Sequence, residues 1–409
     1  MSKITAPRGT FDILPEQARV RVELERVARE LLEAAGYERI ETPTFETTEL
    51  FVRGAGASSD IVQKEMYSFD DGGGRSLTLR PEGTAPVCRA YVQHGMHKLP
   101  APVRVYYLSS FYRAERPQAG RHRQFWQLGV EALGSEDPAL DAETIVLLAT
   151  FLERIGVAGL RLRLSSLGSP ASRATYREDL ARYLRVNADR LAPVVRERID
   201  MNPLRAFDSD DEGTRAVMAG APRLLDQLER DDAEHFAQVR ELLDRAAVAY
   251  EIDSTLVRGL DYYTRTLFEF TSDVLGAQSA VAGGGRYDGL VEQLGGPPTP
   301  GIGWAAGIER VMLASDAQPI GAAPIDLYVA FEAGRADAFE TLTAARLAGL
   351  AAQMELAGRS LKGQLKQAER LGARFFAVVE GEAVVLRDLR AGTEETVQRA
   401  RLVERLVAA

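Results

Sequence analysis

The sequence predicts an α+β protein: one antiparallel sheet flanked by helices, interrupted by a helical insert and followed by a small α/β segment. Three observations predict this. Strand patterns recur up to about 168, vanish between about 170 and 250, where arginine and acid alternate at helical spacing, and return at 251. A strand pattern that is broken and then resumed fits a single sheet with an insert in it. Finally, "SDAQPIGAAP" (315–324) has the composition of a linker, and beyond it "IDLYVAF", "RFFAVVEG" and "AVVLRDL" are apolar strands separated by helical text. The expected domains are 1–169 and 251–314 as two parts of one sheet domain, 170–250 as the insert, 315–324 as linker and 325–409 as the α/β domain. A chain of 409 residues is too long for one ordinary core.

The elements follow in order. Residues 15–36 predict an amphipathic helix, with Pro15 in the first turn, Leu24, Val27, Leu31 and Ala35 at helical spacing, and Gly36 at the end. "YERIETPTFE" (37–46) predicts a strand interrupted at Pro43, which argues for an edge or a subunit boundary. "SLTLRPEGTAPVCRAYVQ" (76–93) reads as strand, turn and helix, with Thr84 placed to cap the helix. Residues 103–113 and 123–134 flank "AERPQAGRH" as the strands of a long-looped hairpin. Along the second strand, a period of two puts Phe125, Gln127, Gly129, Glu131 and Leu133 on one face. Trp126, Leu128, Val130 and Ala132 take the other, which is plain core. A glutamine and a carboxylate at mid-strand predict that the first face lines a cavity. Residues 137–156 predict a helix and 160–168 a strand, and 251–272, 280–295 and 301–314 resume the sheet.

Composition narrows the class. Hydrophobic residues are 45% and charged residues 27%, which reads as globular. A net charge of −9 excludes a nucleic-acid coat over the whole surface but leaves room for a local basic face. Cys88 is the single cysteine, so no intrachain disulfide forms, as suits a reducing cytoplasm. No secretion signal and no membrane-length apolar run stands in the sequence, and a cytoplasmic protein is expected. His94 and His97 read as a solvated helix end, and no protein metal site is expected.

Arginine is the default cation, with 45 Arg against 5 Lys. Even so, the four between Arg113 and Arg123 in "FYRAERPQAGRHRQF" stand well above the chain average. A hairpin loop with a glycine and several guanidiniums suits phosphate or an RNA backbone, and a solvated loop is the alternative. "AGGGRYDGL" (282–290) and "GIERV" (307–311) are weak signals alone. In "LVRGLDYY" (256–263), Arg258 and Tyr263 serve one pocket only if the chain breaks at Gly259. The tail, 325–409, holds twelve basic and twelve acidic residues and is neutral, so a nucleic-acid-facing role is allowed.

Together "PRGTFDILP", "TLRPEGTA", "FYRAERPQAGRHRQF", "LVRGLDYYTRT", "AGGGRYDGL" and "GIERV" resemble, in order and spacing, the histidyl-tRNA synthetases, a family of class II aminoacyl-tRNA synthetases. The resemblance spans the whole chain, including "GRSLKGQLKQAERLGA" (358–373), and "LVRGLDYY" is its most specific part. Trp126 departs from it, for the resemblance implies a histidine at this position. The resemblance implies the class II antiparallel sheet, with 325–409 as the anticodon-binding domain. It implies activation of L-histidine by ATP with Mg2+, transfer to tRNA(His), and a homodimer. Arg113 and Arg258 then flank the α-phosphate as catalytic arginines and meet the histidine carboxylate, and Arg310 lies near the γ-phosphate. Glu115 and Phe125 hold and stack the adenine. Glu82 and Thr84 take the α-amino group, Gln127 the carboxylate end, Glu131 and Tyr263 the imidazole nitrogens, and Tyr287 lines the pocket. Arg116, Gln118, Arg121 and Arg123 meet the tRNA acceptor end. The alternative is the regulatory paralogue of ATP phosphoribosyltransferase, a binding module on the same fold that typically lacks the tail and degrades the arginine motifs.

Overall fold

The computed structural model describes residues 3–56, 59, 61–276, 279–315 and 320–408. It divides into two units, 1–318 and 319–409. The predicted linker spans this division, and its residues 316–319 lie outside the described ones.

The first unit is organised by an eight-stranded sheet. Its centre is antiparallel: Val103–Tyr112, Gln124–Leu133, Gly301–Gly307, Ala280–Arg286, Thr264–Ser272 and Leu160–Ser166 lie side by side in that order. Two-residue strands, Glu38–Arg39 and Glu251–Ile252, add to the edges in parallel, so the sheet is mixed at its rims. The predicted strand at 37–46 is in fact two. Pro43 separates Glu38–Arg39, at the sheet edge, from Phe45–Thr47, which joins Tyr67–Asp70 and Ser76–Leu79 in a small second sheet.

Two apolar layers sandwich the large sheet. Leu128, Val130 and Ala132 face a core shared with the helices Pro15–Ala34, Pro138–Arg154 and Ile308–Ala314. Phe125 and Leu133 belong to the other layer, beneath helix Thr84–Gln93, as the period of two requires. Trp126 packs against the first core with the Arg21 guanidinium 3.4 Å from its ring centroid. Trp126 therefore lies on the face away from the cavity.

The region 170–250 is helical and has a core of its own around Tyr176, Leu180, Leu184, Val217 and Leu224. Its last helix, Arg230–Arg245, differs. Phe236, Val239 and Leu243 repeat along one face and join the main core instead. The second unit is a five-stranded sheet in the order Ala352–Met354, Leu327–Ala330, Phe375–Glu380, Ala383–Asp388, Thr393–Gln398, around its own core.

Candidate active site

The hairpin Val103–Tyr112/Gln124–Leu133 pairs Phe111 with Phe125, Ser109 with Gln127, Tyr107 with Gly129 and Val105 with Glu131. Above its tip end opens a cleft of about 420 Å³. Arg113, Glu115, Arg121, Phe125 and Gln127 enter it from the hairpin, Arg258 from the 253–263 loop, and Arg310 from the first turn of Ile308–Ala314. Residues almost 200 positions apart are thus gathered over one sheet.

Each cation is held in place. Arg113 donates from Nε to the Pro81 carbonyl at 3.0 Å, and its guanidinium carbon lies 5.2 Å from the Phe125 ring centroid. Arg310 donates from Nε to the Ala280 carbonyl, and burial, with help from Arg121, lowers its pKa. Arg258 pairs with Glu269, which also pairs with Arg163 at 3.1 Å. Burial works against the charge on Arg258, but Glu269 together with Tyr263 and Tyr262 outweighs it and its pKa is raised. Gln127 Oε1 is buried without a hydrogen-bond partner among the described residues. It is an acceptor in want of a donor at the cleft wall.

Under the cleft lies a second, closed cluster. Glu131 is wholly buried. Its carboxylate accepts from the Tyr287 hydroxyl at 2.6 Å, the Thr84 hydroxyl at 2.7 Å and the Tyr107 hydroxyl at 3.4 Å. Burial pushes its pKa up to about 8 against those donors, and the Glu82 charge pushes the same way. Glu82 is also buried, and burial raises its pKa as well. Tyr262 stands with its ring 4.9 Å from Tyr263 and 5.9 Å from Tyr287. The predicted cavity face is real, but at Glu131 the protein's own hydroxyls close it.

The cap of helix Thr84–Gln93 corrects the sequence reading. Glu82, not Thr84, satisfies the first turn, taking the Thr84 and Ala85 N–H groups at 2.7 and 3.0 Å. The Thr84 hydroxyl is thereby released to Glu131. "LVRGLDYY" is a loop rather than a strand, so Arg258 and Tyr263 escape strict alternation. The three glycines lie mid-strand, where a Cβ on Gly284 would fall 2.0 Å from the Gly303 carbonyl oxygen and one on Gly285 within 2.6 Å of the Thr266 carbonyl.

The predicted tRNA-facing residues separate. Gln118 and Arg121 bridge across the loop tip, with Gly120 at φ +69° between them. Arg121 turns into the cleft, 3.5 Å from Glu115, while Arg116 and Gln118 are exposed. Arg123 is tied down: its backbone N–H donates to the Gly9 carbonyl at 2.7 Å and its guanidinium to the Arg8 carbonyl at 3.4 Å. Sequence reasoning missed Tyr107, Tyr262, Glu269 and, from the insert, Arg205 and Asp208 on the cleft wall. Tyr107 was findable, since Val103, Val105, Tyr107 and Phe111 share one parity and one core.

An antiparallel sheet carries arginines from a hairpin, a loop and a helix start over one cleft, with a closed polar pocket below, as the resemblance to the class II aminoacyl-tRNA synthetases leads one to expect. The model of the family described as histidyl-tRNA synthetase matches residues 9–311. The chain is 48% identical over 412 residues to the histidine–tRNA ligase of Desulforudis audaxviator, covering 98% of each, and 48% identical over 409 residues to that of Moorella thermoacetica, covering 97% of this chain and 96% of the other. Among solved structures, apo histidyl-tRNA synthetase of S. aureus superposes with a TM-score of 0.82 at 36% identity, covering 99% of this chain and all of that one. The chain belongs to the histidyl-tRNA synthetase family. A structure from Bacillus halodurans, described as an ATP phosphoribosyltransferase regulatory subunit/histidyl-tRNA synthetase, shares the fold with a TM-score of 0.66 at 22% identity, covering 90% of this chain and 97% of that one.

Proposed function

We propose that the cleft joins the carboxylate of L-histidine to the α-phosphorus of ATP, releasing pyrophosphate, and that the histidyl group then passes to tRNA(His). ATP-dependent ligation of histidine to tRNA is the reaction of the family, and the chain covers its relatives end to end. One observation carries the assignment of roles: Arg113, Arg258 and Arg310 converge on one cleft with Glu115, Phe125 and Gln127.

In the first step a carboxylate oxygen forms a bond to the α-phosphorus, and the bond to the bridging oxygen of pyrophosphate breaks. Negative charge builds on the phosphoryl oxygens between Arg113 and Arg258, which are already fixed and need little reorganisation. Arg310 takes the far phosphates, and Mg2+ enters with the nucleotide on its phosphate oxygens. Phe125 stacks on the adenine and Glu115 accepts its amino group. Glu82 and Thr84 receive the α-amino group, and Gln127 Oε1 offers that end of the substrate an acceptor without a partner of its own. Glu131, Tyr263 and Tyr287 read the imidazole. For this the ring must displace a hydroxyl now bonded to Glu131. An apolar amino acid would displace that hydroxyl without replacing its hydrogen bond to Glu131, which is the basis of selection.

Arg116 and Gln118 at the exposed loop tip meet the acceptor end, with Arg121 between tip and cleft. Arg123 contributes by fixing the loop against residues 8–9. The domain assignment, with 319–409 reading the anticodon arm, belongs to the same proposal, as does a cytoplasmic homodimer, which sedimentation would test. The assay for the whole reading is histidine-dependent exchange of pyrophosphate into ATP, with other amino acids as controls. Absence of histidine-dependent exchange in the folded protein would overturn it.

A further inference from the structure

The loop 253–263 carries Arg258 and Tyr263 yet contributes no strand to the sheet. The sheet domain holds its start, where the Asp253 N–H donates to the Leu164 carbonyl at 2.9 Å and Arg163 pairs with the Asp253 carboxylate. The Asp261 N–H donates to the Ala55 carbonyl at 3.3 Å. The insert adds bonds at its other end. Arg173, on the insert's first helix Pro170–Val186, donates to the Tyr263 carbonyl. Asn202 donates to Asp261 at 3.3 Å. Arg205 and Arg173 line a cavity of about 100 Å³ together with Val257, Arg258, Leu260 and Asp261.

The far end of the loop is fixed in the same way. Arg265 has φ +44°, a left-handed conformation that side chains other than glycine rarely adopt. It marks a bulge, for pairing with Ala280–Arg286 shifts between Gly285 and Arg286. The Arg265 N–H donates to the Gly168 carbonyl at 2.8 Å, and its guanidinium to Asp232 at 3.1 Å. Asp232 in turn takes the Ser169 N–H at 2.7 Å and the Ser172 hydroxyl at 2.9 Å, at the root of the insert. Strained backbone of this kind persists only where its surroundings over-determine it, and a bulge re-aims the residues beside it.

We infer that the root of the helical insert, through Arg173 and the Asp232–Arg265 pair, positions the loop that presents Arg258 and Tyr263, and so sets histidine activation before any tRNA is present. The inference rests on the reading of Arg258 and Tyr263 as groups that meet the substrates. Arg173, Asp232 and Arg265 are positioning residues in it, acting through that loop.

The test is histidine-dependent pyrophosphate exchange by the full chain carrying Arg173→Met, Arg173→Lys or Arg265→Gly, beside Arg258→Ala, with the thermal midpoint of each. Arg265→Gly removes the guanidinium anchor to Asp232, keeps the N–H bond to Gly168 and relieves the positive φ, which offsets part of the cost to the fold. Arg173→Met and Arg265→Gly are expected to lower kcat/KM for histidine about tenfold or more, as losing a charged hydrogen bond predicts. The KM for ATP and the midpoints should stay near those of the unsubstituted chain. Arg173→Lys keeps a donor and should recover most of the loss. Unchanged histidine parameters in Arg173→Met and Arg265→Gly overturn the inference. So does an equal loss for histidine and ATP, which marks a general structural role. Exchange retained by Arg258→Ala overturns the reading of the site and the inference with it.

Discussion

The cleft and the cluster beneath it share the strand Gln124–Leu133, yet they treat charge in opposite ways. In the cleft, Arg113 and Arg310 are tethered to main-chain carbonyls by Nε, and Arg258 is tied to one carboxylate. In the cluster, the carboxylate of Glu131 is saturated by three hydroxyls of its own protein. The cleft suits a ligand that brings strong negative charge and is paid for by fixed dipoles and cations. The cluster suits a ligand that must compete for a carboxylate, which is a test of identity rather than of charge. In the proposed reaction one strand therefore divides the labour: residues near its start would deal with the nucleotide, and Glu131 near its end with the side chain.

Breaking the cleft should cost most. Arg258→Ala is expected to lower histidine-dependent exchange about a hundredfold to a thousandfold, roughly 3–4 kcal/mol of transition-state stabilisation, with the fold retained. Near-normal exchange by the folded variant removes Arg258 from the chemistry. Breaking the cluster should cost less and fall on one substrate. Glu131→Ala is expected to weaken histidine use by about 1.5–3 kcal/mol while ATP binding holds. If the KM for histidine and the turnover are both unchanged, Glu131 is structural.

The third prediction sharpens the comparison through pH. A carboxyl raised to about 8 by burial favours the folded state fully only below its unfolded value, and that contribution is lost as pH rises through about 8. Glu131→Gln should therefore lose less thermal stability than the unsubstituted chain between about pH 5 and 8. Parallel midpoints across that range would mean that Glu131 does not titrate there. The smallest effect on activation is expected from removing residues 319–409, which leaves cleft and cluster in place. Exchange should persist while tRNA charging at low tRNA concentration falls, because the acceptor contacts lose the effective concentration supplied by a second site. Full charging by the truncated chain, confirmed to have the oligomeric state of the whole, would sink the role proposed for the tail.

The sequence made the hairpin legible because a period of two is a property of the strand itself, and Gln127 and Glu131 stand out against it. It misassigned the helix cap because Thr84 is the residue type that caps locally, whereas its actual partner, Glu131, is 47 residues away. "LVRGLDYY" reads as a strand from its aromatic and branched residues, but tertiary bonds from the insert override that preference. In the second unit, Thr393–Gln398 escaped because it is a mostly exposed edge strand with no buried face to set a period. The helix Arg230–Arg245 looks like the rest of the insert in charge pattern, and only the spacing of Phe236, Val239 and Leu243 separates it.

The side chains of the closed cluster rest on glycines. A Cβ on Gly83 or Gly129 would run into the Tyr107 ring, one on Gly301 into the Tyr287 ring, and one on Gly303 into the Glu131 carboxylate. No such glycine can be replaced unless the aromatic or acid opposite it shrinks at the same time. These glycines and the side chains opposite them are therefore coupled in pairs. A single substitution at any of them meets the ring or carboxylate opposite, so this part of the fold can change only two positions at a time, a constraint set by packing rather than by chemistry.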